Sequence, residues 1–192
     1  MKIAVSTILI VVFLSSCAND GRVEPTDQIE APQKIERTDK LPFACDFIDE
    51  KEMLSILDKD VNLEVLDGNR NRKSEHSTSC FYKWDDIQYD VSGVMIQINR
   101  NPLPDEIPNF VQKSLDNKRW EGERSYDDPN ISFKYDDMEG MPFPVIYNRE
   151  TNKYFFGLKD MFVCSVVFNY PAEPDQLDAW FREIATKIVE SV

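Results

Sequence analysis

Clusters of carboxylates are the residues of this sequence whose type and spacing most directly suggest chemistry. Asp85, Asp86 and Asp90 fall together between two predicted strands, and more acidic side chains follow at 127–128 and 136–139. Carboxylates that meet in space can bind a hard cation or act as a general acid and base. Acidic runs are more often solvated turn residues. A small-ligand or cation site on these acidic loops is therefore the alternative function, and a hydrolase is the least supported hypothesis.

A calcium-binding loop is incomplete in this chain. Asp58, Asp60 and Asn62 have the oxygen spacing of the first half of an EF-hand. Leu63 occupies the position at which the backbone turn needs Gly, and Asn69 occupies the position of the bidentate Glu. The segment is better interpreted as a helix end that runs into a strand.

Catalytic patterns are also incomplete. His76 is the only histidine, whereas a zinc site takes three or four ligands and usually more than one imidazole. A Ser-His-Asp triad would have to use His76, and the chain has no Gly-x-Ser-x-Gly elbow. The six glycines form no phosphate-binding loop. We therefore predict no catalytic residue, no metal site and no cofactor, and a protein that is not an enzyme.

The thiol of Cys17 is the group with the clearest predicted chemistry. Lys2 gives the chain a short basic start, and the apolar run 3–14 is too short to span a bilayer, which needs about 20 helical residues. Such a run is typical of a signal peptide. It leads directly into 14–17, Leu-Ser-Ser-Cys, which resembles the lipobox of bacterial lipoprotein precursors.

The lipobox resemblance implies covalent processing of the N-terminus. Diacylglycerol is attached to Cys17 through a thioether, the signal peptide 1–16 is removed, and the new amino group is usually acylated. Two or three acyl chains anchor a protein where a single chain does not. We expect the protein in the cell envelope, held to the membrane by lipid, and in the outer membrane if the host is diderm, because Ala18 is not an inner-membrane retention signal.

The other cysteines are expected to supply one disulfide. Cys45, Cys80 and Cys164 remain once Cys17 is assigned to lipid, and an exported chain meets an oxidising compartment. We predict a Cys45–Cys80 bridge, which would pin the first helix to an early strand. Cys164 lies in the middle of a predicted strand, where a buried thiol behaves as a small hydrophobe.

Composition changes at about residue 41. Residues 17–41 contain no aromatic side chain and no sustained apolar period, so they are predicted to form the lipidated N-terminus and a disordered tether. Residues 42–192 are predicted to form a single globular domain. The formal net charge of −13 argues against nucleic acid as a partner, because phosphates favour clusters of Lys and Arg.

Three helices are predicted in the domain. The first begins at a capping box, Asp49 with Glu52 three positions later. A second is predicted over 105–120. The last carries a single apolar stripe, formed by Leu177, Trp180, Phe181, Ile184, Ile188 and Val192.

Seven short segments have the composition or alternation of strands. They are 61–66, 80–84, 91–99, 131–135, 145–147, 154–158 and 161–170. A mostly antiparallel sheet flanked by helices accommodates all of these elements, so the predicted fold class is α+β.

The order of the elements resembles the PsbP-like sandwich of small exported lipoproteins of unknown function. Two short matches carry this resemblance, Cys45-Asp46 before the first helix and the Cys-x-x-x-Trp strand Cys80–Trp84. The resemblance implies an α/β/α sandwich and transfers no functional residue. The sequence as a whole predicts a membrane-anchored, non-enzymatic envelope lipoprotein whose domain binds or scaffolds an unidentified partner protein.

Overall fold

The computed structural model of the protein describes residues 40–70, 74–125 and 127–192. Cys17, the predicted signal peptide and the predicted tether as far as residue 39 lie outside this part of the chain. The described residues belong to one compact unit, and Leu41 already packs against its core. In these three ranges, no helix combines the length and the apolar content needed to cross a membrane.

Two of the three described α-helices begin where the local sequence predicts a start. In α1 (Glu50–Leu57), Glu52 N–H donates to Asp49 Oδ1 at 2.8 Å, and Asp49 N–H donates to Glu52 Oε2 at 3.4 Å. These bonds form the predicted capping box. In α3 (Pro174–Glu190), proline occupies the first turn, where its missing N–H costs no helical hydrogen bond.

The remaining helix, α2, begins later than the sequence predicts. The apolar spacing suggests a start at Asp105, whereas the helix covers Phe110–Glu121. Pro108 explains the difference, because proline cannot donate a hydrogen bond and the residue before it avoids the helical region. The segment ahead of it forms a turn, in which Ile107 N–H donates to the Leu103 carbonyl at 2.8 Å.

The strands form one large sheet and one small one. The large sheet contains β1 (Leu63–Asp67), β2 (Ser77–Trp84), β3 (Ser92–Arg100), β6 (Asp136–Asp137), β7 (Val145–Asn148), β8 (Lys153–Leu158) and β9 (Phe162–Asn169). Its order is β1-β2-β3-β9-β8-β7-β6, and every pair is antiparallel. β4 (Glu123–Arg124) and β5 (Ser132–Phe133) pair with each other. The predicted α+β class is confirmed.

The limits of two strands and of the last helix differ from the predictions. β2 begins at Ser77 rather than at Cys80, because Ser77 and its neighbours pair with the polar end of β3. The predicted strand 131–135 is reduced to β5. Val192 lies beyond the end of α3 and is 39% exposed, so the apolar stripe of the last helix ends before it.

Helices cover both faces of the large sheet. Neighbouring residues of β9 point to opposite faces. Cys164 and Val166 belong to a larger core that includes residues of α1 and α3, whereas Val163 belongs to a smaller core that includes Leu115 of α2. The layers are therefore α1 and α3, the sheet, and α2.

Cys45 and Cys80 form the disulfide that the sequence favours. Cys45 lies in a 3₁₀ turn, Ala44–Asp46, that precedes α1, so the bridge joins the start of the domain to β2. Cys164 is free and buried, and burial raises its pKa to about 12. A thiol with so high a pKa stays protonated near neutral pH, so it is a poor nucleophile.

Removal of the bridge should destabilise the domain. The two cysteines are 35 residues apart, and closing a loop of that length is worth roughly 3.5–4 kcal/mol in the chain-entropy model. We expect the double variant Cys45→Ala/Cys80→Ala to unfold at lower denaturant concentration than the wild type, measured by circular dichroism.

A reductant supplies the internal control for this measurement. It should destabilise the wild type and leave the double variant unchanged. Cys164→Ala is the matched variant that keeps the bridge, and it should remain sensitive to reductant. An unaltered midpoint for reduced wild type would show that the bridge contributes nothing.

Candidate functional site

The connection between β2 and β3, residues 85–91, exposes three large apolar side chains. We call this segment the β2–β3 loop. Ile87 is fully exposed, and Tyr89 and Val91 are 40% and 48% exposed. Single exposed apolar residues are common on soluble proteins, whereas a group of them rimmed by polar residues is typical of a binding surface.

Hydrogen bonds hold the β2–β3 loop in shape. Asp86 Oδ1 accepts a hydrogen bond from Gln88 N–H at 2.8 Å, which makes an Asx turn around Ile87. At the end of the loop, Asn169 Nδ2 of β9 donates to the carbonyl of Val91. The apolar tip is therefore presented by an ordered turn that is attached to the sheet.

A cavity of about 570 Å³ opens beside the loop. We call it the loop-end cavity. Its walls are formed by 88–91, by 150–152 between β7 and β8, and by 168–171 at the end of β9. The lining residues include the carboxylates of Asp90 and Glu150 and no basic side chain. The volume lies within the range of about 300–1,000 Å³ that is typical of ligand sites.

Aromatic contacts connect the β2–β3 loop to the core. The rings of Tyr89 and Tyr170 meet edge to face with centroids 6.0 Å apart, and Tyr170 meets Trp84 at 5.4 Å. The Lys59 ammonium lies 4.0 Å from the ring centroid of Tyr170, a distance at which the ring attracts a cation. These contacts fix Tyr170, which also lines the loop-end cavity.

Two buried polar atoms lie at the base of the loop. Trp84 Nε1 and Ser92 Oγ have no hydrogen-bond partner among the residues that the structure describes. Trp84 and Ser92 face each other across β2 and β3, immediately before and after the loop. A buried polar group without a partner costs about 1–3 kcal/mol. This end of the sheet therefore has hydrogen-bonding capacity that the fold does not use.

An ion pair ties the β7–β8 turn to α3. Arg149 donates to the two carboxylate oxygens of Asp178 at 2.7 and 2.6 Å, and the hydroxyl of Tyr154 donates to Asp178 at 2.8 Å. Burial alone would raise the pKa of Asp178, but the hydrogen bonds from Arg149 and Tyr154 outweigh burial and lower this pKa. Because Glu150 follows Arg149 directly, the ion pair also positions one wall of the loop-end cavity.

This ion pair should contribute to the acid sensitivity of the fold. A carboxyl whose pKa falls on folding adds stability above its unfolded-state pKa of roughly 3.9, and that stability is lost as the pH drops through the folded-state pKa. Asp178→Asn should lower the melting temperature at neutral pH. Between about pH 5 and pH 2, the melting temperature of this variant should fall less steeply with decreasing pH than that of the wild type. The measurement is thermal unfolding at a series of pH values.

Glu183→Gln provides the matched control in the same helix. Glu183 is exposed, so its substitution should leave both the melting temperature and its acid decline close to those of the wild type. Identical acid profiles for the wild type and Asp178→Asn would show that the ion pair does not link stability to pH.

The acidic segments identified in the sequence lie on separate elements. Asp85, Asp86 and Asp90 lie in the β2–β3 loop, 127–128 lie between β4 and β5, and 136–137 form the edge strand β6. Within the described ranges, no group of three or more His, Cys, Asp and Glu residues is placed to hold a metal ion. These loops thus bring no three such side chains together in the described part of the chain, and a cation site on them stays a prediction from the sequence.

Three other sequence candidates have local structural roles. Asp137 Oδ1 accepts hydrogen bonds from Arg119 Nε at 3.0 Å and Nη2 at 2.6 Å, which connects β6 to α2. Asp58 caps the C-terminus of α1 in the left-handed conformation, with φ of 49°. His76 is exposed, and its carbonyl accepts a hydrogen bond from the backbone of β3.

Sequence patterns single out the aspartates of the β2–β3 loop but do not single out the apolar residues between them. Ile87 and Tyr89 alternate with polar residues, and Val91 is assigned to a strand that in fact begins at Ser92. The sequence signal for their exposure is that an isoleucine and a tyrosine lie in an acidic connection that is too short to bury them.

Comparison of the chain with protein families, with curated proteins and with solved structures finds no match. The PsbP-like resemblance therefore stays a prediction from two short motifs. Any function for this surface has to be inferred from its own geometry and chemistry.

Proposed function

We propose that this protein is a lipid-anchored component of the bacterial cell envelope whose domain binds a partner protein at the β2–β3 loop and the loop-end cavity. The proposed location is supported by the lipobox that ends at Cys17. The proposed binding role is supported above all by Ile87, which is fully exposed at the tip of an ordered turn.

Burial of the apolar tip would provide the driving force for this interaction. Transfer of one aliphatic or aromatic side chain from water into a protein interior contributes about 1.5–3 kcal/mol. Ile87 has its whole side chain available for such burial, and Tyr89 and Val91 have a substantial part of theirs. A few apolar anchors surrounded by polar residues are the usual energetic centre of a protein interface.

The predicted lipid anchor would assist binding without making any contact of its own. A flexible tether of the predicted length has an average reach of roughly 25–30 Å. Confinement near the bilayer raises the effective concentration of the domain toward a partner in the same membrane. The anchor and the binding surface therefore fit a role in assembling or scaffolding an envelope complex.

A small-ligand binder is the second candidate, and a separate cavity favours it. This cavity, of about 630 Å³, lies at the start of the domain and has Leu41 and Phe43 among its lining residues. Phe43 is 39% exposed, so an apolar ligand would find a partly open ring there. A ligand that raises the melting temperature in the absence of any partner protein would support this function.

Lipid attachment is tested by mass spectrometry of the protein purified from membranes. We expect the N-terminal peptide to begin at Cys17 and to carry diacylglycerol on its sulfur, usually with a further acyl chain on the amino group. The Cys17→Ser variant should yield no lipidated protein on extraction of the membranes. A wild-type peptide with a bare Cys17 thiol, or with 1–16 still attached, would refute the anchor.

Partner binding is tested by photo-cross-linking in the intact envelope. The full-length protein with benzoylphenylalanine in place of Ile87 should give a discrete cross-linked product, because the tip would lie inside the interface. Leu103 is the matched control position, since it is 46% exposed and follows the opposite end of β3. Absence of a product at position 87, or the same products at both positions, would count against partner binding.

A further inference from the structure

We infer that the partner segment bound by the β2–β3 loop is cationic and apolar, with a Lys or Arg side chain next to an aliphatic one. This inference rests on the proposed function and specifies the chemistry of the partner. It is based on the charges that surround the exposed apolar side chains of the loop.

Every charged side chain of the β2–β3 loop is a carboxylate. Asp85 and Asp86 precede Ile87, Asp90 follows it, and the loop contains no Lys or Arg. Glu150 adds a fourth carboxylate, and it lines the loop-end cavity together with Asp90. A concave surface lined by one sign of charge concentrates the field and attracts ligands of the opposite sign.

The basic groups of the adjoining elements are engaged in other contacts. Arg149 forms the bidentate pair with Asp178. Lys153, at the end of the same turn, donates to the two oxygens of Glu123 at 2.7 and 3.0 Å. Lys59 lies over an aromatic ring and is not among the residues that line the cavity.

The loop carboxylates consequently have no intramolecular counter-ion among the described residues. In the described part of the chain, salt bridges involve other acidic residues and none of the four carboxylates of this surface. A partner that supplies positive charge would meet these carboxylates without displacing an intramolecular cation.

The loop-end cavity offers contacts suited to a long basic side chain. The ring of Tyr89 is among its lining residues, and an ammonium or guanidinium group is attracted to the face of such a ring. The ring of Tyr170, which also lines the cavity, is already in contact with Lys59. Thr151 and Asn152 add a hydroxyl and an amide that can accept hydrogen bonds from the same group. The methylene stem of Lys or Arg can pack on apolar surface, and the exposed side chain of Ile87 provides such a surface.

Other occupants fit this surface less well. A bilayer with anionic headgroups would be repelled by the carboxylates that surround the apolar tip. A symmetric contact between two copies of this chain would place the same acidic loop against itself, since a two-fold interface uses one patch twice. A basic protein segment both neutralises the charge and buries the apolar tip.

The experiment adds charge reversals to the photo-cross-linking at position 87 in the full-length protein. Asp85→Lys combined with Asp90→Lys should reduce the yield of cross-linked product about five- to tenfold, because attraction becomes repulsion. The neutral pair Asp85→Asn and Asp90→Asn should give an intermediate loss. Circular dichroism establishes that each variant is folded.

The matched control is Asp105→Lys combined with Glu106→Lys. It makes the same change in net charge at two exposed residues of the β3–α2 connection, at the far end of β3 from the loop. The yield at position 87 should stay within about twofold of the starting protein, because exposed charges separated by more than a Debye length are largely screened.

Sequencing of the cross-linked peptide by mass spectrometry identifies the partner segment. A basic residue beside the cross-linked position, together with loss of capture in the reversal variant, would confirm the inference. Unchanged capture in that variant, a segment without basic residues, or a product made of two copies of this chain would overturn it. If the reversal variant still captures another protein at the same yield, the inference about charge fails but the proposed partner binding stands. If no product forms at position 87 even without the charge reversals, the proposed partner binding fails as well.

Discussion

Phe181 of α3 lies flat on Tyr154 of β8, with ring centroids 4.3 Å apart and an angle of 11° between the planes. Trp180, next to it, contacts an aromatic ring of β9. These stacked rings are buried and hold α3 over the middle of the sheet. Asp178 of the same helix then reaches Arg149, so the position of α3 also determines the position of the β7–β8 turn. Loss of this stacking would release a helix, a turn and one wall of the loop-end cavity together.

The proposed binding surface is formed by connections, whereas its support is formed by paired strands. The loop-end cavity gathers three connections at one end of the large sheet. β3 and β9 pair from Gly93–Asn169 to Arg100–Phe162 and carry two of these connections. Loops can vary in chemistry while a rigid scaffold keeps their geometry, and binding residues are often found on such loops. The concentration of exposed apolar and acidic residues at this end follows that pattern.

The features that the sequence predicted correctly depend on local signals. Asp49 and Glu52 are sufficient to mark the start of α1, and alternating apolar residues mark β3. The late start of α2 depends on Pro108, which breaks the helix although apolar residues continue at helical spacing across it. The exposure of Ile87 could not be predicted, because hydropathy does not report which way a loop residue points. Its position depends on a turn at Asp86 and on the attachment of the loop to β9, which is distant in the chain.

The attachment of the β2–β3 loop has a consequence for how the protein evolves. The loop is closed by the pairing of Trp84 with Ser92 and by the bond from Asn169, and neither contact uses the side chain of Ile87. Replacement of such a surface residue usually changes folding stability by no more than about 0.5 kcal/mol. Natural selection can therefore alter the residues of the proposed binding surface without first compensating for a weakened core. The exposed chemistry at this end of the molecule can diverge while the architecture beneath it is inherited unchanged.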